Sequence, residues 1–340
     1  IMKKRLLAML LAGAMCASLA ACGGGSSTPA GGDTQKDGGA KAGTTSGCSV
    51  DVILKTTASE YWSYVKAGAE AYSKDNPDVK VEVKGATSET AYDEQQNMIE
   101  TDLNSGAYDA FVIAPLQADL VKTLIAGQTA PIVAVDTNID APEVLSFVGT
   151  GNEDAAAEGG KAAVEAAKAA GWDKVQAIAI SGVQGDGTAT ARLTGYEKGV
   201  TEAGGEFLKD EIQYADAVAD KAATSMEAIM QNHPEGVAII VCNNDDMAMA
   251  AARAAQGHDA YKNTIFLGFN GDRAACEAIL DGQMTMSVAQ MAYEMGYKAV
   301  ETMVQVLDGE TVDEFVDSGS DVVTPDNAQE RLDTLKTQLH

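Results

Sequence analysis

Residues 175–203 read VQAIAISGVQGDGTATARLTGYEKGVTEA, and this stretch sets the fold class. An apolar run (175–180) stops at a Gly-rich turn, and an alanine- and glycine-studded stretch with helical spacing follows (188–203). A short buried strand that passes through a Gly turn into a helix is half of a βαβ unit, and such units build parallel sheets through right-handed crossovers. The same rhythm runs before this stretch. Strands are expected over 50–57, 79–83, 110–114, 132–136 and 145–148, with helices over 62–74, 92–103 and 116–125. It also runs after it. Strands are expected over 207–213, 237–241, 265–268 and 285–290, with helices over 221–231, 247–255, 273–280 and 293–307. A short strand around Phe315 and a helix over 327–339 finish the chain. Two such series predict an α/β fold of two doubly wound, parallel-sheet lobes of similar size. Ligands of open α/β sheets bind outside the carboxyl ends of the strands, so two lobes facing each other would hold one ligand from both sides.

The start of the chain has a different character. Lys3, Lys4 and Arg5 precede an apolar run over 6–19 that ends in Leu19-Ala20-Ala21-Cys22. A basic n-region, a short apolar h-region and small residues before a cleavage point describe a secretory signal over 1–21. The run is too short and too rich in alanine for a stable membrane span. The tetrad resembles a bacterial lipobox, which implies that Cys22 is acylated and anchors the mature chain to the membrane. Of the 25 residues from Gly23 to Gly47, 16 are Gly, Ser or Thr. Such a segment cannot offset its ordering entropy by burial, so 22–48 is expected to be a tether, spanning about 25–30 Å as a flexible coil.

The full chain carries 24 basic and 50 acidic side chains. Without the three basic residues of the signal, 21 basic against 50 acidic side chains leave −29. That field repels nucleic acid. Cys48, Cys242 and Cys276 remain beyond the anchor, an odd number without metal spacing. Cys242 and Cys276 read as small buried apolar residues, with a disulfide between them the alternative.

Catalysis finds no support. His233 and His258 sit in turns without a metal-spaced partner, and His340 is terminal. There is no Gly-x-Ser-x-Gly elbow. The GGKA at Gly159 lacks the upstream glycine and the Ser/Thr of a phosphate loop. Asp245 and Asp246 precede a helix, where acids serve as caps. No enzyme activity, metal or cofactor is expected.

The polar and aromatic residues at expected strand ends say more. Ser59, Tyr61 and Trp62 follow the first strand in TTASEYWSYVKAG, and Asp136 and Thr137 follow the fourth in AVDT. Thr150 lies where the chain would leave the first lobe, and Arg192 lies early in a helix of the second. Asn244, Asn270 and Gln290 end strands of the second lobe. A sugar presents apolar C–H faces to aromatic rings and hydroxyls to planar donors and acceptors, and this set supplies both.

At these residues the chain resembles the type I periplasmic sugar-binding proteins, most closely the ribose-binding-like group that serves ABC importers. VKAGAEAYSKD, AFVIAP, PIVAVDT, ARLTGYEKG, NNDDMAMAAARAAQ and FLGFNG match in order and spacing, and the likeness covers 49 to the C-terminus. It implies two lobes joined by three hinge segments, 49–150 plus 291–319 and 151–290 plus 320–340. The implied pocket is Ser59, Tyr61, Trp62, Asp136, Thr137, Thr150, Arg192, Asn244, Asn270 and Gln290. The ribose-type pattern has Asn at Ala114, an aromatic at Ala217, Arg at Thr137 and Asp at Asn270. One cation and one anion are thus missing together, and the expectation is a pocket that has lost a charge pair. The implied protein is a lipid-anchored, monomeric extracytoplasmic receptor that binds a monosaccharide or small polyol and docks on an ABC permease. Two alternatives stand: a sensory protein signalling to a membrane receptor, and a transport receptor for a nucleoside or signalling furanose. A sugar-responsive repressor of the same fold would need an N-terminal DNA-reading element, where this chain has a signal and a tether.

Overall fold

The computed structural model describes residues 47–339. The signal segment, Cys22 and nearly all of the tether lie outside the described residues. Cys48, placed by the sequence reading at the end of the tether, is instead the buried first residue of a strand.

The first sheet holds β1 (Cys48–Thr56), β2 (Val79–Ala86), β3 (Ala110–Ile113), β4 (Ile132–Val135), β5 (Val144–Gly149) and β12 (Phe315–Asp317), ordered β12-β5-β4-β3-β1-β2 with every pair parallel. Its helices are α1 (Glu60–Asp75), α2 (Tyr92–Ser105), α3 (Ala118–Ile125) and α9 (Ala292–Leu307). The second sheet holds β6 (Gln176–Ser181), β7 (Glu206–Phe207), β8 (Gln213–Tyr214), β9 (Ile239–Cys242), β10 (Ile265–Asn270), β11 (Met286–Gln290) and β13 (Ser320–Val323). It runs β13-β11-β10-β9-β6-β7, β8 also pairs with β6, and the β11–β13 pair is antiparallel. Its helices are α4 (Asn152–Ala169), α5 (Gly187–Glu202), α6 (Ala219–Asn232), α7 (Asp245–Ala255), α8 (Arg273–Leu280) and α10 (Ala328–Gln338). β3, β4 and β9 are buried along their whole length. Strands covered by helices on both faces read as unbroken apolar runs, which is how AFVI, IVAV and IIVC appear in the sequence.

Both sheets reverse direction beside their first strand, between β1 and β3 and between β6 and β9. These are the two topological switch points, where a crevice opens at the strands' carboxyl ends. The chain passes between the sheets three times: after β5, after β11, and between β12 and β13. The three passages lie side by side. Ser318 N donates to Gly149 O (2.7 Å), Met291 N to Gly319 O (3.3 Å) and Gly151 N to Asp317 Oδ1 (3.3 Å).

Three elements depart from the sequence reading. Helix α4 is one, because its Ala-rich stretch is interrupted by Gly159-Gly160, which weaken helix propensity. The glycines serve packing. A Cβ on Gly159 would stand 2.3 Å from Val288 Cγ2, and on the facing α5 a Cβ on Gly199 would stand 2.0 Å from Ala157 O. The continuous strand expected over 207–213 is broken by a single 3₁₀ turn, Lys209–Glu211, whose charged side chains suit an exposed turn. β7 and β8 pair with successive parts of β6 on either side of it. Strand β13 is the third, a short segment without an apolar run to announce it. Cys242 and Cys276 are buried free thiols rather than a disulfide.

Candidate functional site

Six of the ten sequence-derived residues meet where the two switch points face each other. α1 begins shortly after β1 and carries Tyr61, whose hydroxyl donates to Asp136 Oδ1 (2.9 Å) and reaches Gln290 Oε1 at 3.5 Å. Asp136 follows β4 with φ 63°, and Asn270 ends β10 with φ 135°. Side chains adopt such backbone at a cost, and positions of this kind gather at binding sites. Gln290, the last residue of β11, donates from Nε2 to Asn270 Oδ1 (2.8 Å). Two hydrogen-bonded pairs, Tyr61–Asp136 from the first sheet's side and Gln290–Asn270 from the second, thus face each other, with Tyr61 Oη and Gln290 Oε1 3.5 Å apart. Thr137 closes the Asp136 end, donating its hydroxyl to Asp136 Oδ2 (2.9 Å).

Arg192 on α5 is 7% exposed. Its guanidinium lies over the Phe269 ring, 3.8 Å from the centroid. Nε donates to Asn152 Oδ1 and Nη1 to Asn243 O, each 2.8 Å. Nη2 has no hydrogen-bond partner among the described residues. A buried, stacked guanidinium with one nitrogen held back from the protein is a preformed donor for a ligand oxygen.

Lys55, near the end of β1, stands 3.2 Å from Asp136 Oδ2. Burial alone would raise the Asp136 carboxyl. The Lys55 charge and the hydrogen bonds from Thr137 and Tyr61 outweigh it and hold the group below its ordinary value, so it stays ionised. Lys55 thus stands beside Asp136, next to the position where the ribose-type pattern has an arginine, and Asp272 lies two residues beyond Asn270, within 3.4 Å of its Nδ2.

The other expected residues have local partners. Trp62 is 2% exposed, meets Tyr61 edge-on at 5.2 Å, and donates Nε1 to Glu89 Oε1 (2.7 Å). Thr150 is buried in a hinge passage with its hydroxyl 3.4 Å from that of Ser318. Asn244 caps α7, accepting from Met247 N at 2.9 Å. Ser59 sits at the N-cap of α1 without a capping bond, and its buried Oγ has no partner among the described residues. Ser181 Oγ and Asn243 Oδ1, at the ends of β6 and β9, are buried and unpartnered in the same way. Buried polar atoms are almost always satisfied by something, and Ser181 and Asn243 lie at strand ends around the same small void as Arg192.

Sequence reasoning missed Lys55, Asn152, Asn243, Phe269 and Asp272. Lys55 and Phe269 fall within or beside expected strands, where a charge reads as a solvated face and a ring as core. The tandem Asn243-Asn244 held the available signal, since one asparagine suffices for a cap.

A hollow of about 660 Å³ opens from this cluster toward the hinge, lined by Asp136, Thr137 and Phe147 on one side and Asp186, Thr188 and Ala191 on the other. A second hollow of about 630 Å³ lies around the starts of β10 and β11, lined by Arg253, His258, Tyr261 and Gln283. None of the six clustered residues lines it. No group of three or more metal-ligating side chains occurs among the described residues.

Two facing α/β lobes, three hinge passages and a polar cleft define a bilobed solute receptor. The family model described as periplasmic binding protein domain matches residues 50–311. The ribose import binding protein of Escherichia coli is 31% identical over 216 residues, covering 62% of this chain and 70% of that protein. The D-ribose/D-allose-binding protein of Pseudomonas aeruginosa is 26% identical, covering 77% and 83%. Among solved structures, a carbohydrate transporter solute-binding protein from Agrobacterium radiobacter in complex with D-arabinose aligns with TM-score 0.74 at 25% identity, covering 87% of this chain and all of that one. The chain belongs to the periplasmic binding protein family, within the type I, ribose/allose-like solute-binding proteins of sugar ABC transporters. These relatives are binding proteins, not enzymes.

Proposed function

We propose that this protein captures a monosaccharide or similar small polyol between its lobes and delivers it to an ABC permease, held at the membrane by a lipid on Cys22. The observation that carries the reading is the Arg192 guanidinium, stacked on Phe269 and fixed by two acceptors with Nη2 left over. Asp136 opposite supplies ionised acceptor oxygens. Tyr61, Gln290 and Asn270 link the lobes, so a ligand that bonds to both sides favours the closed form. Ser59, Thr137 and Asn243 add short polar arms, and the hollow beside Thr137 leaves room for a ring larger than a pentose. The ribose, allose and arabinose named for the relatives define the class to try. Among the described residues no helix is long and apolar enough to cross a membrane, in keeping with attachment through the N-terminus. The folded unit is proposed to act as a monomer.

The test is a thermal-shift panel of aldopentoses, hexoses, inositols and nucleosides at about 1 mM. A ligand with micromolar affinity stabilises the native state by about 4 kcal/mol at that excess. A shift of several degrees with one sugar class supports the proposal. A shift with nucleosides alone moves the ligand out of the sugar class.

A further inference from the structure

On the reading of the cleft as a polyol site, we infer that Asp272 contacts the ligand, accepts one of its hydroxyl protons in a hydrogen bond, and gives up its own proton to solvent when the ligand binds. Asp272 occupies the N-cap of α8, where an aspartate ordinarily accepts from the amides of the first turn. Its side chain makes no such bond. The backbone is fixed independently, with Asp272 N donating to Asp245 Oδ2 (3.2 Å) and Gly271 N to the same oxygen (2.8 Å). Among the described residues the carboxyl group's sole side-chain donor is Asn270 Nδ2, at 3.4 Å.

The surroundings offer it no cation. From α7 it faces Asp245 and Asp246, and from α1 Glu60, Tyr61 and Tyr64. Cys276 lies on its own helix, one turn on. Arg273, the next residue, is paired with Glu60 across the cleft at 2.5 Å. Arg331 of α10 is directed to the carbonyls of Gly271 and Gln290. Burial, then the charges of Asp245 and Glu60, push the Asp272 carboxyl up to about 8. These causes favour its protonated form at neutral pH, and beyond Asn270 Nδ2 the ionised form has room for a second donor, which a ligand hydroxyl supplies. Donors at a carboxylate favour its charged form, so binding lowers its proton affinity and releases the proton.

The opposite wall mirrors this arrangement. Ser59 is the N-cap of α1, also without a capping bond, and its buried hydroxyl has no partner among the described residues. The residues that follow the two caps, Glu60 and Arg273, are the ones that pair. Closing the cleft therefore brings two withheld caps, one from each lobe, to the same rim.

The test is calorimetric titration with D-ribose and with D-allose, for the wild type and Asp272→Asn. It runs from about pH 6 to about pH 9 in two buffers of different ionisation enthalpy. For the wild type the affinity should rise about a hundredfold across the range, because the ligand binds the ionised carboxylate and no longer has to displace its proton at high pH. Its heats near neutrality should differ between buffers by the fraction of a proton released. Asp272→Asn should bind with flat pH dependence and no buffer difference. It should also melt no lower than the wild type at pH 8, since a half-buried carboxyl group crowded by Asp245 and Glu60 is gone. A wild type that exchanges no proton, or an Asn variant that still does, overturns the inference. A marked loss of stability in the variant overturns it too, by making Asp272 a helix cap. A wild type that binds neither sugar at any pH overturns the ribose/allose-type reading of the cleft, on which this inference rests.

Discussion

Asp136 is the residue on which the first wall of the cleft turns. Its φ of 63° aims the carboxylate at Tyr61 and Lys55 rather than along the strand. Because the native carboxyl sits below its ordinary value, its contribution to stability is fully present above the unfolded value of about 3.9. That contribution is lost as pH falls through the lower native value. The melting temperatures of wild type and Asp136→Asn should therefore differ at pH 7 and converge below about pH 4. A difference unchanged by acid would mean that the Lys55 pair is not what holds the group. Tyr61→Phe removes one donor from Asp136 and should cost about 1 kcal/mol of stability, readable in denaturant titrations. At this scale the sequence was most informative where a polar residue ends an apolar run, as at Asp136, Asn270 and Gln290. It was least informative where the functional side chain has an ordinary structural explanation. Phe269 reads as core and Asp272 as a cap, and the distinguishing facts, a guanidinium on the ring and a missing capping bond, are tertiary.

Between elements, close helix contacts decide how rigidly each lobe presents its half of the cleft. α1 meets α9 through Gly68 and Gly296. A Cβ on Gly68 would stand 1.8 Å from Tyr293 O, and one on Gly296 would stand 1.9 Å from Val65 O. Gly68→Ala gains about 1 kcal/mol of helix propensity. The clash is with backbone that cannot yield, and overpacking of that kind costs about 1–3 kcal/mol. The net effect should be a lower melting temperature. Gly187→Ala, with no atom within 4 Å of the added Cβ, should leave it unchanged or raised. Equal effects from the two would contradict the packing account. The same logic explains why α4 was illegible. Its small residues are selected by the backbone of α5, a contact distant in sequence, and locally they look like poor helix. Strands β1, β3, β4, β9 and β10 were legible because burial on both faces leaves a run that nothing else in the chain imitates.

For the whole molecule, the question is what makes closure depend on ligand. The ion pair that crosses the cleft rim, Glu60–Arg273, joins side chains 30% and 45% exposed. Such pairs contribute about 0–1 kcal/mol, too little to hold the lobes shut alone. Arg273→Ala should therefore weaken sugar binding by less than about fivefold, measured by calorimetry. Arg192 is different in kind, since it is buried and its removal strands two acceptors and the ligand oxygen together. The most direct measurement of the central claim is titration of wild type and Arg192→Ala with D-ribose and D-allose, with circular dichroism to confirm that both are folded. The account predicts saturable binding of one sugar per wild-type chain, weakened at least about tenfold, or 1.4 kcal/mol, in the variant. Affinity unchanged by the loss of Arg192 would contradict it.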